Sequence, residues 1–373
     1  MVTEQSAIVT HYALLIGVDF YPNKGPKKRR SLIGSVRDAQ EIKKYLVGSP
    51  ISFDIQMLTA SPRESDASRP AESREDLPTH SNVISNLEKI TSRAAIGDFV
   101  YIHFSGHGTA VEPDGEVLNS STGDLALVLL ASDDETKIQY LRGSELAFQL
   151  KNMVEKGLKV TLVLDCCASG SVKRDKLDPS VRYLPYDPVV DMAYPPIPGR
   201  SLGSEDEAMY PAYRDASMRL NWLVNPDGYT ILTACGPTET AREMNVEGQA
   251  HGALSYFLTR TFARYKRVGG KQQHIYSHLC ARFKESCPQQ NPMLYGNKNI
   301  GFFDNTNYML DTAPIPIIKK LDGSLQLDAG QAHGVCDRDR FVCIASVAQN
   351  PTLGPINIQL LSKLHTLEVL HRI

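Results

Sequence analysis

Short apolar runs alternating with segments of helical period constrain this chain more than any other feature of its sequence. Residues 12–18, Tyr-Ala-Leu-Leu-Ile-Gly-Val, are continuously apolar, as in a strand buried on both faces. Val36, Ala39, Ile42 and Leu46 then recur at the spacing of one helix face. Residues 53–59 read as a second strand. Pro78-Thr79 opens a helix carrying Val83, Leu87, Ile90 and Ala94. Residues 99–104 form a third strand and 125–130 a further apolar run. Ser144 begins a helix bearing Leu146, Leu150, Met153 and Val154, and 160–164 is again a strand. Strands and helices alternating at these lengths predict an α/β fold, a three-layer sandwich with a mostly parallel central sheet.

Two stretches break the rhythm. Residues 61–75 are polar and aperiodic, which predicts a mobile loop. Residues 172–226 hold Pro179, Pro185, Pro188, Pro195, Pro196, Pro198 and Pro211 with no periodic face, and read as a linker. Order returns with a strand at 229–234 and helices around 254–265 and 275–283. Beyond about residue 307 come short alternating runs, at 325–327, 341–344, 356–360 and 367–370. The expected organisation is a main domain over 11–305, made of 11–171, the linker 172–226 and 227–305. A small β module follows over 306–373. Its last strand reaches the C-terminus, as expected of a chain cut from a longer protein.

The formal net charge of -2 argues against a dedicated nucleic-acid or polybasic membrane binder. No apolar run approaches the roughly 20 residues that span a bilayer. The N-terminus has neither a basic region before its apolar stretch nor a small-residue cleavage site. Seven cysteines are too few and too unevenly spaced for a disulfide framework. The expectation is a soluble cytoplasmic protein with reduced thiols. The run from Lys24 to Arg30 reads as a solvated loop.

The chemistry concentrates at two strand ends, where sites form in open α/β sheets. One strand ends Ser105-Gly106-His107-Gly108, and another, 60 residues on, ends Asp165-Cys166-Cys167-Ala168-Ser169-Gly170. A thiol is nucleophilic as thiolate, and an imidazole beside it favours that form and can protonate a leaving amine. The expected dyad is Cys167 with His107. The backbone N–H groups of Gly108 and Cys167 are the expected oxyanion donors. Strand alternation turns Asp165 to the face of Cys167 and Ser105 to that of His107, leaving Cys166 in the core. His251 and His333 also precede glycine but end no apolar strand, and read as structural. Cys235, Cys280, Cys287, Cys336 and Cys343 lack metal-ligand spacing and read as packing residues. No metal or cofactor is expected.

At these residues the chain resembles caspases and metacaspases, peptidases of the C14 type. Tyr-Ile-His-Phe-Ser-Gly-His-Gly-Thr (101–109) is similar to the family's histidine motif, and Leu-Asp-Cys-Cys-Ala-Ser-Gly (164–170) to its nucleophile motif. Leu32 to Ala39 resembles its first-helix start, and Thr230 through Leu254 its small-subunit region. The tail resembles β modules of some fungal proteins. The resemblance implies a caspase-like sandwich and a cysteine endopeptidase acting in regulated proteolysis or cell-death signalling. It implies a pocket of Ser35, Asp38, Ser105 and Asp165 that takes Arg or Lys before the cleaved bond. Arg37, adjacent to Asp38, is expected to point elsewhere. Self-processing is expected in the linker, with Lys173, Arg174, Lys176, Arg200 and Arg214 as basic candidates.

Two departures stand out. Ala168 replaces the histidine usual after the metacaspase nucleophile. Leu141-Arg142-Gly143-Ser144-Glu145 lacks the Asp-Asp pair that contributes to a calcium site in many members. A catalytically silent caspase-like scaffold is therefore the alternative reading.

Overall fold

The computed structural model describes residues 9–22, 31–111, 124–167, 178, 180–195, 226, 228–237, 239–265, 272–297 and 300–303, and the strands at 317–319 and 325–327. The chain divides into two units, residues 1–311 and 312–373.

The first unit opens with β1 (His11–Val18), α1 (Ser35–Val47) and β2 (Phe53–Ala60), then a small hairpin of β3 (Pro62–Arg63) and β4 (Asp66–Pro70). Next come α2 (His80–Arg93) and β5 (Phe99–Ser105). A three-stranded antiparallel sheet follows, made of β6 (Gly108–Val111), β7 (Asp124–Leu130) and β8 (Ile138–Arg142). Then α3 (Gly143–Glu155), β9 (Lys159–Asp165) and a short α4 (Pro188–Ala193) lead to β10 (Thr230–Thr233). The hairpin β11 (Glu243–Val246)–β12 (Gln249–Gly252), α5 (Ala253–Tyr265), α6 (Gln272–Ser286) and β13 (Met293–Gly296) complete it. In the second unit β14 (Ile317–Lys319) pairs antiparallel with β15 (Leu325–Leu327).

The central sheet has six strands in the order β13-β10-β9-β5-β1-β2, all parallel except β13. Because both faces are covered, its strands are apolar throughout rather than alternating. Leu14, Ile16 and Val18 face a core shared with Val83 and Leu87 of α2 and with Leu146 and Leu150 of α3. Ala13 and Leu15 face the other core, with Ala39 and Ile42 of α1, Leu254 and Leu258 of α5, and Leu279 of α6. The result is the three-layer, caspase-like sandwich.

Two stretches depart from the sequence expectation. Residues 61–75 are not a structureless loop. The Ser61 N–H and hydroxyl both donate to the Glu72 carboxylate, pinning the base of the β3–β4 hairpin. Those bonds join residues 11 apart, so no local periodicity announces them. Within 172–226, residues 180–195 are packed against the first unit. Leu184 and Val190 are buried in its core, and Asp187 caps α4 through the Val189 N–H. Polar and proline-rich composition hid an order that comes from tertiary contact. The runs at 341–344, 356–360 and 367–370, and the Lys24–Arg30 loop, lie outside the described residues.

Candidate active site

β5 and β9 are neighbours in parallel register, with Ser105 opposite Asp165. The residues just beyond them, His107 and Cys167, therefore leave the sheet at one edge. His107 is clamped by its backbone: its N–H donates to the Tyr21 hydroxyl at 2.7 Å, and its carbonyl accepts from the Val128 N–H at 3.1 Å. The Tyr21 and His107 rings stack obliquely with centroids 4.6 Å apart. Cys166 packs into the core under α2 and α3, and Cys167 into the opposite one. The Cys167 sulfur accepts from the Ala241 N–H at 3.1 Å. Burial, reinforced by the Cys235 thiol, pushes the Cys167 thiol well above its ordinary range, so it is held protonated.

A segment of the chain itself fills the cleft beside these residues. The Arg182 carbonyl accepts from both the Gly108 and the Cys167 N–H, at 3.1 Å each. Its N–H donates to Ala241 O at 2.9 Å, and Ser180 O accepts from the Glu243 N–H at 2.7 Å. On the other side, the Leu184 N–H donates to Gly108 O at 3.0 Å. Val181 bridges antiparallel to Arg242 and Tyr183 parallel to Gly108. Residues 180–184 thus lie in the cleft as an added strand.

The Arg182 side chain is completely buried among carboxylates. One guanidinium nitrogen donates to Asp38 Oδ2 at 2.8 Å and lies 3.3 Å from Glu243 Oε1. The other donates to Ser105 Oγ at 2.5 Å and to Asp165 O at 3.1 Å, and lies 3.5 Å from Asp165 Oδ1. The Ser105 hydroxyl in turn donates to Asp38 Oδ2 at 2.8 Å. Burial raises both buried aspartates, but Arg182 and the donors His251, Ser105 and Gly252 bring Asp38 below the usual carboxylate range. Asp165, farther from the guanidinium and repelled by Asp38, stays above it. These acids outweigh the burial cost for Arg182, whose charge is held more firmly than in water. Arg37 points away from Asp38, donating to Ala250 O at 2.8 Å.

Ser35 is buried at the start of α1, where its N–H donates to Asp19 Oδ1 at 2.7 Å; no contact of its side chain with Arg182 is seen. Asp165 is fixed by the Ser255 N–H and hydroxyl, both at 2.7 Å. Ser255 in turn meets His103 Nε2 at 2.9 Å, and His103 Nδ1 meets Tyr101 Oη at 3.0 Å. Burial lowers His103 to about 4, so this linker is neutral near neutral pH.

Several residues here escaped the sequence reading. Glu243 is a third pocket acid. His251 does not sit apart as a structural residue: its Nδ1 lies 3.4 Å from Asp38 Oδ1. Gly252 donates its N–H to Asp38 Oδ2 at 2.9 Å, and a side chain there would overlap both the Asp165 carboxylate and the Arg182 guanidinium. Arg182 itself carried one signal. It is the linker cation set in a short alternating run, Val181-Arg182-Tyr183-Leu184. Lys173, Arg174, Lys176, Arg200, Arg214 and His333 lie outside the described residues.

Where many metacaspases hold calcium, the residues do not suit that ion. The Arg142 guanidinium is paired with Asp191 of α4. The Glu145 carboxylate accepts from the Arg142 N–H at 3.1 Å and lies 3.5 Å from His80 Nε2. Gly143 and Ser144 bring no carboxylate here, and the charged groups beside them are engaged by protein partners. Among the described residues no three His, Cys, Asp or Glu side chains are placed to hold a metal. Nor is any helix among them long and apolar enough to cross a membrane.

Comparison with known proteins points to one family. Residues 11–174 match the family described as metacaspase, peptidase C14 domain. Metacaspase-9 of Arabidopsis thaliana is 25% identical over 207 residues, 53% of this chain and 56% of that protein. Metacaspase-3 of Trypanosoma cruzi is 27% identical over 163 residues, 44% of this chain and 41% of that one. Metacaspase-1 of Candida albicans is 24% identical over 275 residues, 66% of this chain and 57% of that one. The chain spans about half the length of the curated relatives it matches. A crystal structure of a Geobacter sulfurreducens protein shares the fold, with TM-score 0.52 at 15% identity over 80% of this chain and 98% of that one. Over residues 11–174 the chain is thus similar to the metacaspase-type C14 peptidases.

Proposed function

We propose that this chain is a cysteine endopeptidase that cleaves proteins after Arg or Lys, with Cys167 as nucleophile and His107 as its acid–base partner. Its own Arg182–Tyr183 bond is its first substrate. The observation that carries this reading is the position of Arg182: carbonyl on the Gly108 and Cys167 N–H groups, guanidinium among Asp38, Asp165 and Glu243. That is the placement a residue before a scissile bond requires.

In this reading the Cys167 thiol gives its proton to His107, and the sulfur attacks the Arg182 carbonyl carbon. The oxyanion that forms draws on the Gly108 and Cys167 N–H groups. His107 then protonates the Tyr183 amine as the C–N bond breaks, leaving an acyl-enzyme that water hydrolyses. In the latched state the thiol is protonated and bonded to Ala241, so attack begins only when the sulfur turns toward the carbonyl. Regulated proteolysis or cell-death signalling in the cytoplasm fits such a latch. The five described cysteines are free, as a reducing compartment would keep them.

Ser35 shapes the pocket indirectly in this account, through the Asp19-bound start of α1 that carries Asp38. A fluorogenic peptide library varied only at the residue before the cleaved bond tests the specificity. Arg and Lys peptides should be turned over, with Arg ahead because its planar fork suits facing carboxylates. Cys167→Ala and His107→Ala should each lose several orders of magnitude in rate while still folding, and Cys166→Ala should keep most activity. Efficient cleavage after Asp would refute the specificity.

A further inference from the structure

One thiol outside the dyad and pocket shares the core of Cys167. Cys235 follows β10, is 1% exposed, and packs in the same core as Cys167. β10 runs beside β9 with Thr233 opposite Leu164 and the Ala234 N–H on Leu164 O, so Cys235 and Cys167 leave adjacent strands one residue out of step. Residues 239 and 241 hold the two sulfurs: Ala241 N–H donates to Cys167, and Cys235 Sγ lies 3.6 Å from Glu239 O. Neighbouring strands run about 4.8 Å apart, a separation compatible with the Cα spacing of a disulfide. Cys166, though adjacent in sequence, packs on the opposite side of the sheet.

We propose that Cys235 is a resolving thiol, which traps an oxidised Cys167 as a Cys167–Cys235 disulfide and so switches the site off reversibly. The effect on activity rests on Cys167 being the nucleophile; the cross-link itself does not.

The oxidant is a hydroperoxide. With the Arg182 strand out of the cleft, the Cys167 thiolate attacks one peroxide oxygen. An S–O bond forms, the O–O bond breaks, and the departing oxygen takes up a proton, leaving Cys167 as sulfenic acid. The Cys235 sulfur then attacks Cys167. The S–S bond forms, the S–O bond breaks, and hydroxide leaves as water with the Cys235 proton. The two thiols lose two electrons and the peroxide gains them; a dithiol reductant reverses the change. A partner thiol packed in the same core intercepts the sulfenic acid before a second peroxide can carry it to irreversible sulfinate. In the latched chain Cys167 is covered and protonated, so the switch acts on the opened enzyme.

The test exposes full-length wild type, Arg182→Ala (which removes the guanidinium that anchors the strand in the cleft), and each with Cys235→Ser or Cys235→Ala, to hydrogen peroxide. Non-reducing peptide mapping is followed by dithiothreitol and an activity assay against each protein's own untreated rate. The Cys235-containing proteins should lose about 2 Da, yield one cross-linked peptide holding Cys167 and Cys235, and recover most activity on reduction. Arg182→Ala should react faster than wild type. Both Cys235 variants should instead gain about 32 Da at Cys167 and recover none. Absence of the cross-linked peptide from oxidised Arg182→Ala, or full recovery in the Cys235 variants, would overturn the proposal. A chain that forms the cross-link yet cleaves no peptide would refute the peptidase reading instead.

Discussion

Asp165 and Asp38 divide the pocket's labour unequally, and the difference is testable at single residues. Burial raises Asp165, so falling pH protonates it before Asp38. A neutral Asp165 holds a guanidinium less well. KM for Arg peptides should therefore climb as pH drops through the raised Asp165 value, while kcat changes less. Asp165→Asn should raise KM about 10- to 100-fold at neutral pH, as loss of a charge-assisted partner costs about 1.5–3 kcal/mol, and should flatten that pH dependence. Steady-state kinetics from pH 5 to 8 checks both. Gly252→Ala should be worse for Arg than for Lys peptides, because its methyl meets the guanidinium head.

Behind the pocket, His103 gives a stability signature. The unfolded chain binds this proton below about 6.5, whereas the folded one waits until about 4. Stability attributable to His103 therefore falls as pH drops from 6.5 to 4. Asp19, raised to about 6 chiefly by burial, works in the opposite direction over much of that window. His103→Gln should leave the melting temperature at pH 7 the more affected, and make its decline between pH 6.5 and 4 shallower than in wild type. An unchanged acid slope would count against the neutral buried imidazole.

At the scale of elements, β8 and α4 settle how the cleft is braced. The Arg142–Asp191 pair links β8 to α4, the Tyr140 hydroxyl accepts from the Asp187 N–H at 3.0 Å, and Tyr194 Oη donates to Asp133 at 2.6 Å. With no carboxylate from Gly143 and Ser144 beside these braces, peptidase activity should be nearly indifferent to millimolar calcium and to chelator. A steep rise in rate on adding calcium would contradict this. The same braces bear on what was legible. The sheet strands were, because apolar runs such as Tyr12–Val18 report burial on both faces directly. So were the strand ends bearing His107 and Cys167, since two motifs occupy equivalent places in neighbouring strands. The β3–β4 hairpin and residues 180–195 were not. Their order depends on partners far away in sequence: Glu72 for Ser61, Ala241 for Arg182, Tyr140 for Asp187. Glu243 and His251 were hidden for the same reason, since only the β11–β12 hairpin brings them beside Asp38.

At the scale of the whole molecule, the proposed peptidase and its latch share one structure. Removing Arg182 would strand buried carboxylates without their cation, a change that typically costs about 3–5 kcal/mol. On the proposed function, the chain is thus held together by the residue it cuts beside. After cleavage Tyr183 to Tyr194 would stay docked through Leu184 and the α4 contacts, while the Arg182 side is free to leave. Intact-mass analysis of wild type and Cys167→Ala during incubation at neutral pH tests this most directly. The account predicts that wild type alone splits into a fragment ending at Arg182 and one beginning at Tyr183. A wild-type chain that stays whole, or one cut equally in Cys167→Ala, would contradict it.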